Sequence, residues 1–162
     1  MEHHQYSFGY EVYDNIHQLN EEDSALLSKA FAVTEKAYAP YSHFFVGTAA
    51  LLQNREIVTG TNQENASYPV GICAERVLLS TVSSLYPGVA IKTMAITYQN
   101  KNTCQSNTPI APCGICRQSL REYEERFQQP IRLILGGREG QVIVIEKSSS
   151  LLPLSFTGDA LK

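Results

Sequence analysis

Short apolar runs alternate with amphipathic segments along this chain, and that order leaves few folds open. Glu21 to Ala39 opens on acidic residues and carries Leu26, Leu27, Ala30, Phe31 and Val33 at helical spacing, so a helix is expected that ends before Pro40. FFVGTAALL and EIVTGTN read as two strands around the turn Gln53-Asn54-Arg55. A helix is expected from Cys73 to Leu85, stopped by Pro87-Gly88, and AIKTMAITY is a third strand. After the polar stretch 100–109 come a helix over Cys113 to Phe127 and the strands IRLILGG and QVIVIEK. The order α-β-β-α-β-α-β-β shows no repeat and no dividing linker. One domain over residues 1–162 is expected, with a mixed five-stranded sheet sandwiched by helices. Residues 1–20 match none of these elements.

Composition narrows the partners. The 162 residues, 43% of them hydrophobic, suffice for a packed core. A net charge of −3 gives no general pull toward nucleic acid or an anionic membrane. No apolar run approaches the roughly 20 residues of a membrane span. The start, MEHHQYSFGYEVYDN, lacks the basic and apolar regions of a signal peptide. A cytoplasmic protein is expected, with neither nucleic acid nor membrane as partner.

A reducing compartment favours metal binding or redox chemistry over disulfides for the four cysteines. Cys104, in QNKNTCQSNTP, reads as a plain thiol. Cys73, Cys113 and Cys116 are different, because each falls in the first turn of an expected helix. Unpaired N–H groups and the helix dipole favour a thiolate there. Cys113 and Cys116, three apart, share one helix face. If the two helix starts meet at one sheet edge, three sulfurs converge on a site that suits zinc. Three protein ligands leave a fourth position open, as catalytic zinc requires, and no second Cys or His lies within four residues of Cys73. Glu75, two residues after Cys73, can then reach a water at that position without being a ligand. The arrangement Cys-x-Glu followed by Pro-Cys-x-x-Cys is that of the zinc deaminases.

Four segments sharpen this: AYAPYSHFFVGTAAL, GTNQENASYPVGICAER, APCGICRQSLREY and LLPLSF. Their order and spacing resemble the cytidine deaminases, specifically the small homotetrameric, three-cysteine kind, from about Leu26 onward. The resemblance implies a cytidine deaminase-like three-layer α/β/α sandwich. It implies one Zn²⁺ per chain on Cys73, Cys113 and Cys116, with Glu75 as proton shuttle. It implies hydrolysis of cytidine and deoxycytidine to uridine and deoxyuridine with release of ammonia, a step of pyrimidine salvage. Asn62 and Glu64 match the pair that binds the ribose 3′-hydroxyl. The backbone of Ala66 matches a reader of the pyrimidine edge, and Phe44 an aromatic lining the base pocket. The carbonyl of Ala111 matches the acceptor of the amino group. Tyr68 and Phe156 match residues that reach a neighbouring subunit's site. Arg76 matches a guanidinium beside the sulfurs, which would offset the net −1 of zinc with three thiolates.

Taken singly, these residues have plainer readings. Asn62 and Glu64 would be a solvated turn, Phe44 core, Phe156 terminal packing and Arg76 surface. Other functions also stay open here. Blasticidin S deaminases share the cysteine motifs but resemble this chain less through NQENASY. Deoxycytidylate and tRNA-type deaminases carry His-Ala-Glu where this chain has Cys73. A non-catalytic zinc module leaves Glu75 without a purpose, and a dithiol redox protein using Cys113 and Cys116 leaves Cys73 and Glu75 unexplained.

Overall fold

The computed structural model describes residues 1–161; Lys162, the last residue of the expected domain, lies outside them. Its strands are β1 (Glu11–Tyr13), β2 (Phe44–Leu52), β3 (Ile57–Thr61), β4 (Ile91–Asn100), β5 (Arg132–Gly136) and β6 (Val142–Ile145). Its α-helices are α1 (Glu21–Val33), α2 (Ala74–Leu85) and α3 (Gly114–Phe127). One sheet holds all six strands in the order β1-β6-β5-β4-β2-β3. Only β4 and β5 pair in parallel; every other neighbour is antiparallel. The sheet is mixed, as expected, but has six strands rather than five. The additional strand is β1, which pairs Glu11 with Val144 and Tyr13 with Val142 within the stretch left unplaced from sequence.

Pleating sorts the core into two faces. Ala49 and Leu51 of β2 face Leu26, Leu27 and Ala30 of α1, whereas Ala50 and Leu52 face the layer of Leu78, Val82 and Leu120 from α2 and α3. The result is the three-layer α/β/α sandwich. α1 starts where Asn20 accepts from the N–H of Asp23 (2.9 Å) and returns an amide bond to its carboxylate (2.8 Å). It stops at Val33, short of the expected Ala39, because Thr34–Lys36 tighten into a 3₁₀ turn. Asp23 also accepts from Arg132 at 2.8 Å, tying α1 to β5.

Topology explains why two distant motifs meet. β3 and β4 are each antiparallel to β2, so they run in the same direction. The helices that follow them, α2 and α3, therefore both begin at one edge of the sheet. α2 lies unusually close to β3. A Cβ on Gly60 would stand 2.6 Å from the Ala74 carbonyl and 2.7 Å from the Leu78 nitrogen. Thr48, fully buried, donates to the carbonyls of Gly60 (3.1 Å) and Ala74 (3.4 Å), joining β2 to the same first turn. α3 ends with Gln128 in the left-handed region (φ 50). Beside it the buried Glu124 carboxylate accepts from the N–H groups of Ile131 and Ser148, both at 2.9 Å, and from the Ser148 hydroxyl at 2.8 Å.

Before β1 the chain forms no regular secondary structure. Tyr6, Phe8 and Tyr10 form a row with ring centroids 6.3 and 6.2 Å apart, and the Tyr6 hydroxyl donates to the Ser150 carbonyl at 3.0 Å. Among the described residues no helix is long and apolar enough to cross a membrane.

Candidate active site

Cys73 and Cys113 are the N-cap residues of α2 and α3, and neither spends its side chain on the cap. Both thiols are thus left for another purpose at a point where helix N–H groups favour negative charge. Cys116, the third residue of α3, is buried. The three Sγ atoms lie within 4.8 Å of one another, with Cys73 and Cys113 3.8 Å apart. A soft, compact donor set of this kind fits a tetrahedral zinc ion. Cys104 lies elsewhere, exposed, with its thiol donating to the Lys101 carbonyl at 3.8 Å.

Protonation within the cluster is uneven. The hydrogen bond with Cys116 pulls the Cys73 thiol down to about 6, against burial and the nearby Glu75 charge; Cys113 and Arg76 add to the pull. The same hydrogen bond, with burial, pushes the Cys116 thiol up. Glu75 is 5% exposed, and burial pushes its carboxyl above the usual range because the anion loses its hydration. Its own N–H and the Cys116 side chain work in the opposite direction.

A cavity of about 230 Å³ gathers Phe44, Asn62, Cys73, Glu75, Ala111 and Cys113, with Val46 and Ile110 completing its apolar wall. Beside it, a hollow of about 310 Å³ is lined by Asn62, Glu64, Tyr68 and Cys73, among others. Asn62 and Cys73 belong to both, so the expected base pocket and the expected sugar contacts adjoin.

The segment carrying Asn62 and Glu64 is clamped by backbone bonds on both sides. Tyr38 N–H donates to the Asn62 carbonyl (3.0 Å), Glu64 N–H to the Tyr38 carbonyl (2.8 Å), and Gln63 and Ile72 exchange two bonds of 2.9 Å. The Asn62 amide accepts from Val46 N–H (2.7 Å) and donates to the Phe44 carbonyl (3.0 Å). Glu64 accepts from the N–H groups of Tyr41 (3.0 Å) and Ser42 (3.3 Å). Burial would lift its carboxyl, but the bonds from the Ser42 side chain and these N–H groups prevail and hold it below the ordinary value.

The remaining expected residues are spread more widely. Ala66 is exposed, inside a turn where Ser67 N–H donates to Asn65 Oδ1 at 2.9 Å. Tyr68 is 74% exposed, its ring edge-on to Tyr41 with centroids 6.0 Å apart. Phe156 is 61% exposed and lines neither cavity of its own chain; its carbonyl accepts from Gln118 of α3 at 3.0 Å. Arg76 faces a groove between α2 and α3 with Ser80, Ser83, Glu122 and Arg126, and acts on Cys73 through its charge. Two supporting residues escaped the sequence reading. Tyr98 stacks on Phe44 (4.8 Å, 18°), and Arg117 donates to the carbonyls of Pro112 (2.8 Å) and Leu151 (3.2 Å), bracing the turn before Cys113.

Residues 20–128 match the model of the cytidine and deoxycytidylate deaminase zinc-binding region. The chain belongs to this family. It is 36% identical over 136 residues to a cytidine deaminase of Halalkalibacterium halodurans, covering 83% of this chain and 93% of that protein. The crystal structure of a cytidine deaminase from Burkholderia pseudomallei superposes with a TM-score of 0.70 at 36% identity, over 85% of this chain and all of the other. That of Mycobacterium leprae gives 0.62 at 30%, over 80% and 95%. For a zinc-dependent deaminase, the joining of Cys73 to Cys113 and Cys116 beside Glu75 has a chemical purpose. The dithiol and non-catalytic readings give it none.

Proposed function

We propose that the chain is a single-domain, zinc-dependent hydrolytic deaminase that converts cytidine and deoxycytidine to uridine and deoxyuridine, releasing ammonia. One observation carries the reading. A single cavity holds a buried carboxylate, two sulfurs of the metal cluster, an aromatic wall and a polar amide at its rim. Cys73, Cys113 and Cys116 would hold the metal, and bound zinc supplies the Lewis acidity that makes water a nucleophile near neutral pH.

The chain's own residues do the rest. Glu75 takes the proton of the attacking water, delivers it to N3 of the ring and assists departure of the amino group from C4. Its burial suits a group that must accept and then give up a proton. Phe44, backed by Tyr98, supplies a flat wall for the base. The Ala66 backbone reads the pyrimidine edge, and the Ala111 carbonyl accepts from the leaving amino group. Arg76 offsets the negative charge of the loaded cluster.

The sugar contacts follow from what is left unbonded. A carboxamide has two N–H donors, and Asn62 uses one on Phe44. The other is free to donate to a 3′-hydroxyl, which in turn donates to the carboxylate of Glu64. Both ribose and deoxyribose carry that hydroxyl, so both nucleosides are substrates.

We further propose a cytoplasmic homotetramer acting in pyrimidine salvage, in which Tyr68 and Phe156 complete a neighbour's pocket. The exposure of Tyr68 and Ile72, which line the hollow beside the base pocket, supports this, as does that of Phe156, whose ring lines neither cavity of its own chain. The test is ultraviolet monitoring of zinc-loaded protein with cytidine, deoxycytidine, cytidine monophosphate and blasticidin S. Conversion of the first two is expected. Conversion of blasticidin S alone, or of none, would overturn the substrate assignment.

A further inference from the structure

The polar stretch 100–109 lies outside the residues given a role above, yet it is tied to the substrate site. The tie runs through the turn from Ala39 to Phe44. His43 sits in the left-handed region at φ 53, with its N–H donating to the Ala39 carbonyl at 3.1 Å. A non-glycine residue there is strained, so the turn keeps its shape only while its surroundings hold it. One side is held by Glu64, which accepts the N–H groups of Tyr41 and Ser42. The other is held by the stretch after β4. Lys101 N–H donates to the His43 carbonyl at 3.0 Å, and the Asn102 amide donates to the Ser42 carbonyl at 2.8 Å.

Ser42 is where the two supports meet. Its N–H orients Glu64, its carbonyl is taken by Asn102, and its hydroxyl accepts from the N–H of Phe44 at 3.0 Å. The bracing stretch is itself anchored at its far end. Glu139 N–H donates to the Ser106 carbonyl at 3.2 Å. Gly137 and Gly140 admit the Ser106 and Asn107 carbonyls so closely that a Cβ on either glycine would collide with them. Asn102 is thus fixed in place by its own N–H to Asn100 Oδ1 (3.0 Å) and by this anchor. It is placed to hold a turn sixty residues earlier in the chain.

We propose that Asn102 is a positioning residue for the sugar half of the substrate site. Through the Ser42 carbonyl it fixes the N–H pair that aims Glu64, and so sets the affinity for the 3′-hydroxyl. This rests on Glu64 accepting from that hydroxyl, as proposed above. The prediction is specific. Loss of the brace weakens binding of a nucleoside that has the hydroxyl and leaves one without it almost untouched.

The experiment compares wild type, Asn102→Ala and Asn102→Asp on cytidine and on 3′-deoxycytidine, with zinc content and thermal midpoint measured alongside. Asn102 is exposed, and the Asp variant keeps its shape while removing the donor, so loss of packing is separated from loss of the bond. With cytidine, KM is expected to rise about threefold to tenfold in both variants, the range of one hydrogen bond, while kcat and zinc stay near wild type. With 3′-deoxycytidine, KM is expected to change less than about twofold. A wild-type protein that treats the two nucleosides alike would remove the Glu64 assignment and this proposal with it. A wild type that discriminates, with variants showing unchanged KM or an equal rise on both substrates, would overturn the role of Asn102 alone.

Discussion

In the proposed mechanism Glu75 moves a proton more than once, while its neighbours Cys73 and Arg76 serve the metal. Glu75→Gln preserves shape and hydrogen bonding but removes the proton site. We expect it to keep zinc and thermal stability while turnover falls by about 10⁴-fold, the upper end for a general acid–base group. Ultraviolet rates on zinc-loaded variant decide it, and near-normal turnover would refute the shuttle. The cysteines give a second test. Cys73→Ser, Cys113→Ser and Cys116→Ser should each lose zinc by metal analysis, whereas Cys104→Ser should retain about one ion per chain, since Cys104 lies outside the cluster. The pairs Cys73–Glu75 and Cys113–Cys116 were legible in the sequence because spacing within one helical turn fixes each pair's geometry, whereas the meeting of the two pairs, and the role of Arg76, rested on the family resemblance. Tyr98, Thr48 and Asn102 were not legible. Each acts through a partner many residues away, and nothing in the local composition of AITYQNKN announces a contact with Phe44 or Ser42.

At the level of elements, the site depends on how closely α2 lies on β3. Gly60→Ala places a methyl group against the Ala74 carbonyl and the Leu78 nitrogen, both backbone atoms that cannot rotate away. A destabilisation of about 1–3 kcal/mol is expected. That corresponds to a thermal midpoint lower by roughly 2–10 °C for a chain of this size, with turnover reduced because Cys73 and Glu75 move with the helix. Gly114→Ala is the matched control in thermal melts, since its added Cβ meets nothing within 4 Å. An equal loss in both variants would show that close packing at Gly60 is not the cause. Most elements could be read from the sequence. FFVGTAALL, AIKTMAITY and IRLILGG are apolar enough to demand burial on both faces. β1 could not, because three residues reading Glu-Val-Tyr have no pattern of their own and become a strand only by pairing with β6. The early end of α1 was equally hidden, since Thr34–Lys36 keep helical composition while changing hydrogen-bond period.

For the whole molecule, the shared-pocket assembly is the claim most open to test. The segment ending in Phe156 docks on α3 through Gln118 and through Arg121, which donates to the Ser155 hydroxyl at 3.2 Å. That leaves the Phe156 ring directed to solvent rather than to its own cavity. Deleting residues 155–162 should raise KM severalfold or more while zinc content stays near normal, measured by kinetics and metal analysis. Mixing this truncated protein with Glu75→Gln protein, under conditions that exchange subunits, should restore activity. Some sites would then join an intact Glu75 to another chain's intact tail. A fully active monomer, or no recovery despite demonstrated exchange, would show that each chain owns its pocket.

The pairing of β1 with β6 also sets a schedule. β1 is made long before its partner and can pair only when Val142–Ile145 has followed. At about 5–20 residues per second, that wait lasts on the order of ten seconds. Throughout it, Tyr6, Phe8 and Tyr10 emerge without the strand pairing that later anchors them, an uncovered aromatic row on a growing chain.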